Sequence, residues 1–226
     1  MNKVKPLSNS YKYIIAICLP IFLLLTIVQF HAFDLNFYMS EFQKYSVTKT
    51  TQIDIDDLEK ITVKMLGYLK DEESDLNMQV EINDQIEEVF GSREKEHMVD
   101  VKELFRKGFL FRNITLSVTA ISILILLKQK ERKELIKGFL YASVGSLFLM
   151  LLLFILIQID FYKYFTYFHE IFFTNDLWLL NPETDVLIQM LPLEFFTDIA
   201  TRIISWFLAL ITLIGGISFY KIRRFS

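Results

Sequence analysis

The chain has 226 residues, of which 53% are hydrophobic and 22 are phenylalanine, and its formal net charge at pH 7 is −3. A mean hydropathy of +0.35 together with long apolar runs is unusual for a soluble domain and indicates an integral membrane protein. The small net charge gives no reason to expect a nucleic-acid partner, and the single cysteine, Cys18, excludes an intrachain disulfide bond and a thiolate metal cluster.

The first apolar run covers residues 13–33 and follows a short basic segment. A helix needs roughly 20 apolar residues to cross the hydrocarbon core of a bilayer, and this run is long enough. It is longer than the apolar core of a typical signal peptide, and no small-x-small cleavage site follows it. An uncleaved membrane helix with Pro20 inside it is therefore favoured over a cleaved signal peptide.

Residues 34–108 form an acidic segment of soluble character, with 18 acidic and 10 basic residues. Apolar residues at helical spacing after an acidic first turn predict an amphipathic helix over 53–69. Alternating apolar and polar residues indicate a short strand within 76–82. A second helix is predicted over 92–107, where Ser92 provides a start signal. We expect this segment to be a mainly helical insert after the first span.

Three further apolar runs give the predicted spans 109–127, 138–159 and 199–220. Arg112 lies near the start of the second span and Arg202 near the start of the fourth. Charged side chains within a span are costly and often functional, which makes both arginines candidates for substrate binding. The alternative is that they reach out to lipid phosphates.

Residues 160–198 separate the third and fourth spans and are too polar to cross a bilayer, although they are rich in aromatic residues. Aromatic side chains interspersed with charges, as in 161–173, are typical of the headgroup level of a membrane. We expect an aromatic loop that lies on the bilayer or roofs a cleft reached from it, or alternatively an ordinary aromatic belt. It carries His169, one of three histidines in the chain.

The distribution of basic residues predicts the orientation of the spans. Segments 1–12, 128–137 and 221–226 carry eleven Lys and Arg residues and two acids, whereas 160–198 carries seven acids and one lysine. The positive-inside rule then puts both termini in the cytoplasm, and 34–108 and 160–198 outside. The predicted fold is an all-α membrane protein with four transmembrane helices, a mainly helical extracytoplasmic insert and an aromatic extracytoplasmic loop.

His97 in the insert and His169 in the aromatic loop are the candidate catalytic residues. Histidine has the unperturbed pKa nearest working pH and serves as acid or base without heavy tuning, whereas the alternative is a structural hydrogen-bonding role. Both lie close in sequence to the outer ends of spans, and we expect them to meet in space. Asp100 and Glu170 are candidates to orient the two imidazoles, unless they are solvated surface charges.

Other catalytic motifs are missing from the sequence. Neither an HExxH motif nor paired His/Cys spacing is present, so no metal site is predicted. The P-loop, GxGxxG and GxSxG motifs are absent as well. Two histidines with nearby carboxylates are therefore the chemistry that the sequence offers.

Two blocks of sequence resemble one known family: EHMVDVKELF at 96–105 and FHEIFFTNDLWLLNPETDVLIQMLP at 168–192. With four spans and an insert after the first, the chain is similar to the bacterial lipoprotein intramolecular transacylases (Lit). The resemblance implies a diacylated lipoprotein substrate whose N-terminal cysteine carries an S-diacylglyceryl group. It implies transfer of the sn-2 acyl chain to the cysteine α-amino group, at the outer face of the bacterial plasma membrane and without a cofactor. The family's functional histidines would be His97 and His169.

The residues fit the chemistry that the resemblance implies. An ester becomes an amide, and holding the amine beside the ester carbonyl contributes roughly 7–11 kcal/mol to lowering the barrier. The amine must lose a proton and the glycerol oxygen must gain one. We assign His169 as the base and His97 as the acid or the stabiliser of the tetrahedral intermediate, with the reverse assignment open. Asn175 and Trp178 would position the glyceryl head or donate to an oxyanion.

Two alternatives differ from this function. One is another outer-leaflet lipid acyltransferase or hydrolase that uses the same histidines. The other is a non-catalytic membrane protein that binds lipids or lipoproteins. Membrane lipids are expected partners in each case. The mass of a lipoprotein's N-terminal peptide separates them, because transacylation keeps the mass and hydrolysis loses an acyl chain.

Overall fold

The computed structural model describes residues 5–82 and 85–224 of the chain. Within these residues the chain forms nine helices and one two-stranded hairpin. In chain order the elements are α1 Lys5–Ala32, α2 Leu35–Lys44, α3 Val47–Thr51, α4 Ile55–Leu69, β1 Gln79–Ile82, β2 Gln85–Glu88, α5 Ser92–Lys128, α6 Arg132–Ile159, α7 Phe161–Phe172, α8 Val186–Met190 and α9 Leu193–Arg224.

Four helices in the described part of the chain, α1, α5, α6 and α9, are long and apolar enough to cross a membrane. The expectation of a mostly helical chain with four candidate spans is thereby confirmed. The helices extend beyond the apolar runs. The thickness of the hydrocarbon core sets the length of the apolar run, but a helix can continue past the membrane surface. The helix α5 joins the predicted helix 92–107 to the run 109–127 without a break, and α9 begins at Leu193, ahead of the run 199–220.

The chain divides into two compact units. The first unit contains α1 as far as Gln29, α5 from Gly108, all of α6, and α9 from Ala200. The second unit contains Phe30–Lys107 and Asp160–Ile199. Both candidate catalytic histidines therefore belong to the second unit.

Small apolar clusters hold the first unit together. One joins Ile15 and Leu19 of α1 to Leu126 of α5, and another joins Met150 of α6 to Phe207 of α9. Helices that are apolar on their outer side as well are typical of membrane spans. Outward-facing apolar side chains include Leu124, Phe148, Ile155, Leu213 and Phe219.

A larger apolar core fills the second unit. The helix α4 contributes Leu58, Ile61 and Met65, which recur at helical spacing and are buried. Phe42 of α2 and Phe195 at the start of α9 pack into the same cluster. The amphipathic helix predicted over 53–69 is observed as α4, which begins at residue 55.

The strands β1 and β2 form an antiparallel hairpin in which Gln79 pairs with Glu88 and Ile82 pairs with Gln85. The strand β1 falls within the range 76–82, where alternation indicates a strand. The sequence does not predict β2, because QIEE contains a single apolar residue and gives no alternating pattern. Backbone pairing with β1 makes it a strand.

The segment 160–198 is largely helical, which corrects the expectation of an aromatic loop. It contains α7, α8 and the first residues of α9. The Asp160 carboxylate caps α7 by accepting a hydrogen bond from the Lys163 backbone N–H at 3.1 Å. The amphipathic period of α7 is hard to recognise in the sequence because apolar side chains cover its core-facing side and much of its exposed side. Exposed apolar side chains of α7 are Tyr162, Tyr167, Phe168, Ile171 and Phe172.

A close approach between α6 and α9 gives a test of the packing in the first unit. A Cβ atom at Gly215 would lie 2.9 Å from Cβ of Ser143, whereas one at Gly216 would meet no described neighbour within 4 Å. We expect Gly215→Ala to cost about 1–3 kcal/mol because the two helices must move apart. Gly216→Ala is the matched control and should leave stability unchanged or slightly raised. Thermal unfolding of the detergent-solubilised protein measures both, and equal midpoints would contradict the close packing.

Candidate active site

The two candidate catalytic histidines meet in the second unit. His97 lies near the start of α5 and His169 lies on α7, and their ring centroids are 6.2 Å apart with 35° between the ring planes. Both are buried, with 7% and 8% of the residue surface exposed. The fold therefore brings together two side chains that are far apart in the sequence and shields them from bulk water.

Among the described residues, the rings of three phenylalanines and one tryptophan surround His169. The ring of Phe165, one turn earlier on α7, has its centroid 4.3 Å away. The Trp178 ring lies at 4.8 Å and is stacked on the imidazole, with 29° between the planes. The rings of Phe168 and Phe173 both lie at 5.5 Å. These rings leave the imidazole in a weakly polar environment.

Within the described part of the chain, one hydrogen bond fixes the orientation and the tautomer of His169. Its Nδ1 atom lies 2.7 Å from the backbone carbonyl oxygen of Phe165. Because a carbonyl oxygen can only accept, Nδ1 carries the hydrogen and donates it. The Nε2 atom of the neutral ring then has a lone pair that can take up a proton.

His97 is held by packing and has no hydrogen bond at Nδ1. Among the described residues, no group pairs with this buried atom. The ring makes an edge contact with Phe173 at 5.3 Å between centroids. Buried polar atoms almost always have partners, and catalytic sites are one place where exceptions are kept.

Burial keeps both imidazoles uncharged at neutral pH. The pKa of His97 is lowered to about 4, with desolvation as the largest cause and a charge on His169 as the second, while the Asp100 carboxylate acts in the opposite direction. Burial also lowers the pKa of His169, and the hydrogen bond to the Phe165 carbonyl opposes this. The carbonyl therefore favours His169 over His97 as the ring that takes a proton.

Asp100 acts on His97 through its charge and not through a hydrogen bond to Nδ1. Its Oδ2 atom accepts a hydrogen bond from Asn175 Nδ2 at 2.8 Å. Asn175 Oδ1 in turn accepts from the Leu177 backbone N–H at 3.1 Å. Asp100 therefore joins α5 to the chain that follows α7. Asn175, which the sequence suggests as a substrate contact, is engaged with Asp100 through its amide.

The remaining predicted site residues lie in other surroundings. Glu170 is exposed, and within the described residues it has no hydrogen bond or ion pair with His169 or any other group. Arg112 donates from Nη2 to Asn113 Oδ1 at 2.9 Å. Arg112 and Arg202 both belong to the first unit. A role in substrate binding stays a prediction for the two arginines.

Glu94 is a buried carboxylate that sequence reasoning does not identify. Only 3% of the residue is exposed. One oxygen accepts from the Gly91 backbone N–H at 2.6 Å, and the other accepts from the Leu187 backbone N–H at 2.7 Å. Burial raises its pKa, against the effect of these two hydrogen bonds. An acid three residues after a helix N-cap is a capping-box signal, but the contact with α8 has no local signal in the sequence.

Within the described residues, three polar attachments join α8 and the chain between α7 and α8 to the first turns of α5. Arg93 donates to the backbone carbonyl of Asp176, and its guanidinium lies 3.5 Å from the carboxylate of the same residue. The other two attachments join Asn175 to Asp100 and Leu187 to Glu94. Together they fix the loop between α7 and α8, which carries Trp178.

The arrangement is suited to proton transfer. His169 can take up a proton at Nε2, and the neutral His97 ring has one N–H to donate. Two such groups beside each other serve a reaction in which one proton is removed and another is delivered nearby. Among residues 5–82 and 85–224, no group of three His, Cys, Asp or Glu side chains is arranged to hold a metal ion.

Over residues 13–196 the sequence matches the family described as lipoprotein intramolecular transacylase Lit. The chain belongs to this family. The matched range includes both histidines, so the resemblance seen in the two sequence blocks is confirmed. The expected enzyme class, a lipoprotein transacylase, is confirmed with it. Among curated proteins, none matches this Lit family chain.

Solved structures of the membrane integral lipoprotein intramolecular transacylase Lit from Bacillus cereus share the fold. One is 23% identical, with a TM-score of 0.83 over 97% of this chain and 99% of that chain. A variant with one histidine replaced by arginine is 21% identical, with a TM-score of 0.78 over 96% of this chain and 93% of its own. A variant with a histidine replaced by alanine is 23% identical, with a TM-score of 0.76 over 97% and 96%. These similarities establish the fold of a membrane-integral Lit protein.

The attachment through Glu94 predicts a large difference between two neighbouring glutamates. Glu94→Ala leaves two N–H groups without their acceptor, at a cost of about 1–3 kcal/mol for each that stays buried. We expect a lower unfolding midpoint and a reduced activity, because α8 loses its attachment to α5 and the loop before it keeps only the other two. Glu96→Ala is the matched control, since Glu96 is exposed on the same helix. Thermal unfolding and a transacylation assay measure both variants, and equal behaviour would refute the role of Glu94.

Proposed function

We propose that this Lit family chain moves the sn-2 acyl chain of a diacylglyceryl lipoprotein to the α-amino group of its N-terminal cysteine. A carbon–nitrogen bond forms at the acyl carbonyl and the ester bond to glycerol breaks. The amine loses one proton and the glycerol oxygen gains one. The product is an N-acylated lyso-form lipoprotein, and the reaction balances without a co-reactant.

The observation that carries the proposal is the buried pair of His97 and His169, with ring centroids 6.2 Å apart. Amine and ester belong to one substrate molecule, so holding them in contact accounts for roughly 7–11 kcal/mol of barrier lowering. What the site must add is a base for the amine and a donor for the oxygens. Two neighbouring imidazoles supply both functions.

His169 is the general base in this proposal. The α-amine has a reference pKa of about 7.7–8.0 and becomes far more acidic as it attacks the carbonyl. The lone pair on Nε2 of His169 takes the proton at that stage. The imidazolium that forms keeps its hydrogen bond from Nδ1 to the Phe165 carbonyl, which supports the charge.

His97 is the hydrogen-bond donor. Its pKa, lowered to about 4 mainly by burial, keeps it neutral, so it offers one N–H at working pH. That N–H stabilises the oxygen that becomes negative in the tetrahedral intermediate, and a site shielded from water strengthens such a bond. The proton taken by His169 then passes to the departing glycerol oxygen, which completes the transfer.

Substitution of each histidine tests the proposal. We expect His97→Gln and His169→Gln each to reduce the transacylation rate by about 100-fold or more, which is the usual contribution of a general acid or base. The assay is mass spectrometry of the N-terminal peptide of a purified diacylated lipoprotein after incubation with the full-length enzyme. The wild-type product keeps the substrate's mass and carries one acyl chain on nitrogen.

Two further results of that assay would be decisive. His31→Gln is the matched control, because it removes the third histidine of the second unit, and it should retain activity. Full activity in both the His97 and His169 variants would overturn the catalytic assignment. A product that has lost one acyl chain would show hydrolysis and would overturn the transacylation.

We further propose that the second unit lies outside the plasma membrane and that both termini lie in the cytoplasm. In the first unit, Lys12 Nζ lies 2.6 Å from Glu134 Oε2, so the basic starts of α1 and α6 are side by side. That contact supports one cytoplasmic side for the N-terminal segment and the 128–137 connector, in agreement with the positive-inside rule.

Cysteine labelling in intact bacteria tests this orientation. In a Cys18→Ser background, a membrane-impermeant maleimide should label Ser74→Cys, which lies in an exposed stretch of the second unit. The exposed connector position in Lys130→Cys should react only after the membrane is permeabilised. The opposite pattern would reverse the proposed topology.

A further inference from the structure

Trp178 has an indole ring stacked on the imidazole of His169, with centroids 4.8 Å apart and 29° between the planes. We propose that Trp178 is a positioning residue whose ring face stabilises the imidazolium formed when His169 takes a proton. The inference rests on the proposed function, in which His169 is the base. It differs from the role that the sequence suggests for Trp178, which is a direct contact with the substrate.

The need for such support follows from the burial of His169. A desolvated imidazole resists charge, and a base must become charged during the reaction. In a serine hydrolase triad a carboxylate on Nδ1 meets this need. Here Nδ1 donates to the Phe165 backbone carbonyl, which is a neutral acceptor. Another source of negative potential is therefore required close to the ring.

The charged and titratable groups around His169 do not provide this negative potential. On α5, the neutral ring of His97 faces it at 6.2 Å, and Asp100 is engaged by Asn175 and acts on His97. On α7, Glu170 is exposed. From α9, an apolar ring, that of Phe196, packs on Phe165.

The face of an aromatic ring carries the negative part of its quadrupole, and indole is the strongest of the natural rings in attracting a cation. Of the four rings around His169, Trp178 is the one nearest to parallel with the imidazole. Phe168 lies almost perpendicular, at 80°. The geometry thus gives Trp178 the stacked arrangement in which a ring face meets the delocalised charge of an imidazolium.

The loop holds Trp178 in register with His169. On one side, Asn175 is bonded to Asp100 and accepts from the Leu177 N–H at 3.1 Å. On the other side, the Leu180 backbone N–H donates to the Trp178 carbonyl at 3.0 Å. The indole is therefore positioned by its backbone, independently of a bound substrate.

The direct test is a histidine titration by NMR of the full-length protein in detergent, labelled with 15N-histidine. The chain has three histidines, so His31→Gln and His97→Gln variants assign the signals. We expect Trp178→Leu to lower the pKa of His169 by about 0.4–1 unit, the loss of one cation–π contact. Trp178→Phe should give a shift of the same sign and roughly half the size, because a weaker ring face remains.

Phe168→Leu is the matched control, since it removes a ring at a similar distance that is perpendicular to the imidazole. It should shift the pKa of His169 much less than Trp178→Leu does. An unchanged pKa in Trp178→Leu, or an equal fall in Phe168→Leu, would overturn the inference. An unaltered His31 signal shows that a variant is folded. If Trp178→Leu does not fold, the shift in the pKa of His169 in Trp178→Phe tests the inference instead.

Kinetics separate this inference from the proposed function. With a weaker base we expect kcat of Trp178→Leu to fall about 3- to 10-fold, with KM little changed, because the effect lies in the proton transfer and not in binding. If His169→Gln keeps full transacylation activity while the titration shifts as expected, the part of the proposed function that makes His169 the base fails and the stacking effect stands. If His169→Gln is inactive and the titration of Trp178→Leu does not shift, the inference alone fails.

Discussion

Burying two imidazole rings beside each other is the constraint on which the site depends. A positive charge on one ring makes a charge on the other more costly, and the shared loss of water adds to that cost. The pair can therefore hold at most one proton beyond the neutral state near pH 7. In the proposed mechanism His169 holds that proton, because the Phe165 carbonyl and the Trp178 ring face both lie against its imidazole. In the same proposal His97 stays neutral and is the hydrogen-bond donor.

The spacing of three side chains along α5 explains how distant parts of the chain bring His97 and His169 together. Arg93, His97 and Asp100 recur at intervals of four and three residues, which puts them on one face of α5. The outer two of these bind the chain after α7, through Asp176 and Asn175. The loop is thus aligned along the helix face that presents His97. Because the same loop carries Trp178, the contacts that fix it also bring its indole against His169.

Patterns that repeat along the chain made much of the fold predictable. The four apolar runs lie in the four long helices, and the amphipathic period of α4 is visible in the sequence. The two histidines were identifiable by residue type, with sequence blocks typical of the Lit family. Contacts between distant backbone and side-chain groups leave no such pattern, which is why the bond of Glu94 to the Leu187 N–H was not foreseen. The sequence suggests Asp100 as the partner of His97, but tertiary packing gives it Asn175 as its hydrogen-bond partner.

The helix α7 has apolar side chains on two sides, which is relevant to a lipid-modified substrate. One side carries Phe165 and His169 towards the second unit's interior, and the other leaves Phe168, Ile171 and Phe172 exposed. A short helix with an exposed apolar face suits the boundary between headgroups and acyl chains. It follows α6, a candidate span, with Asp160 as the single intervening residue. In the proposed reaction the ester of a diacylglyceryl group lies at that same boundary, so the proposed base on α7 would act there without drawing the acyl chains into water.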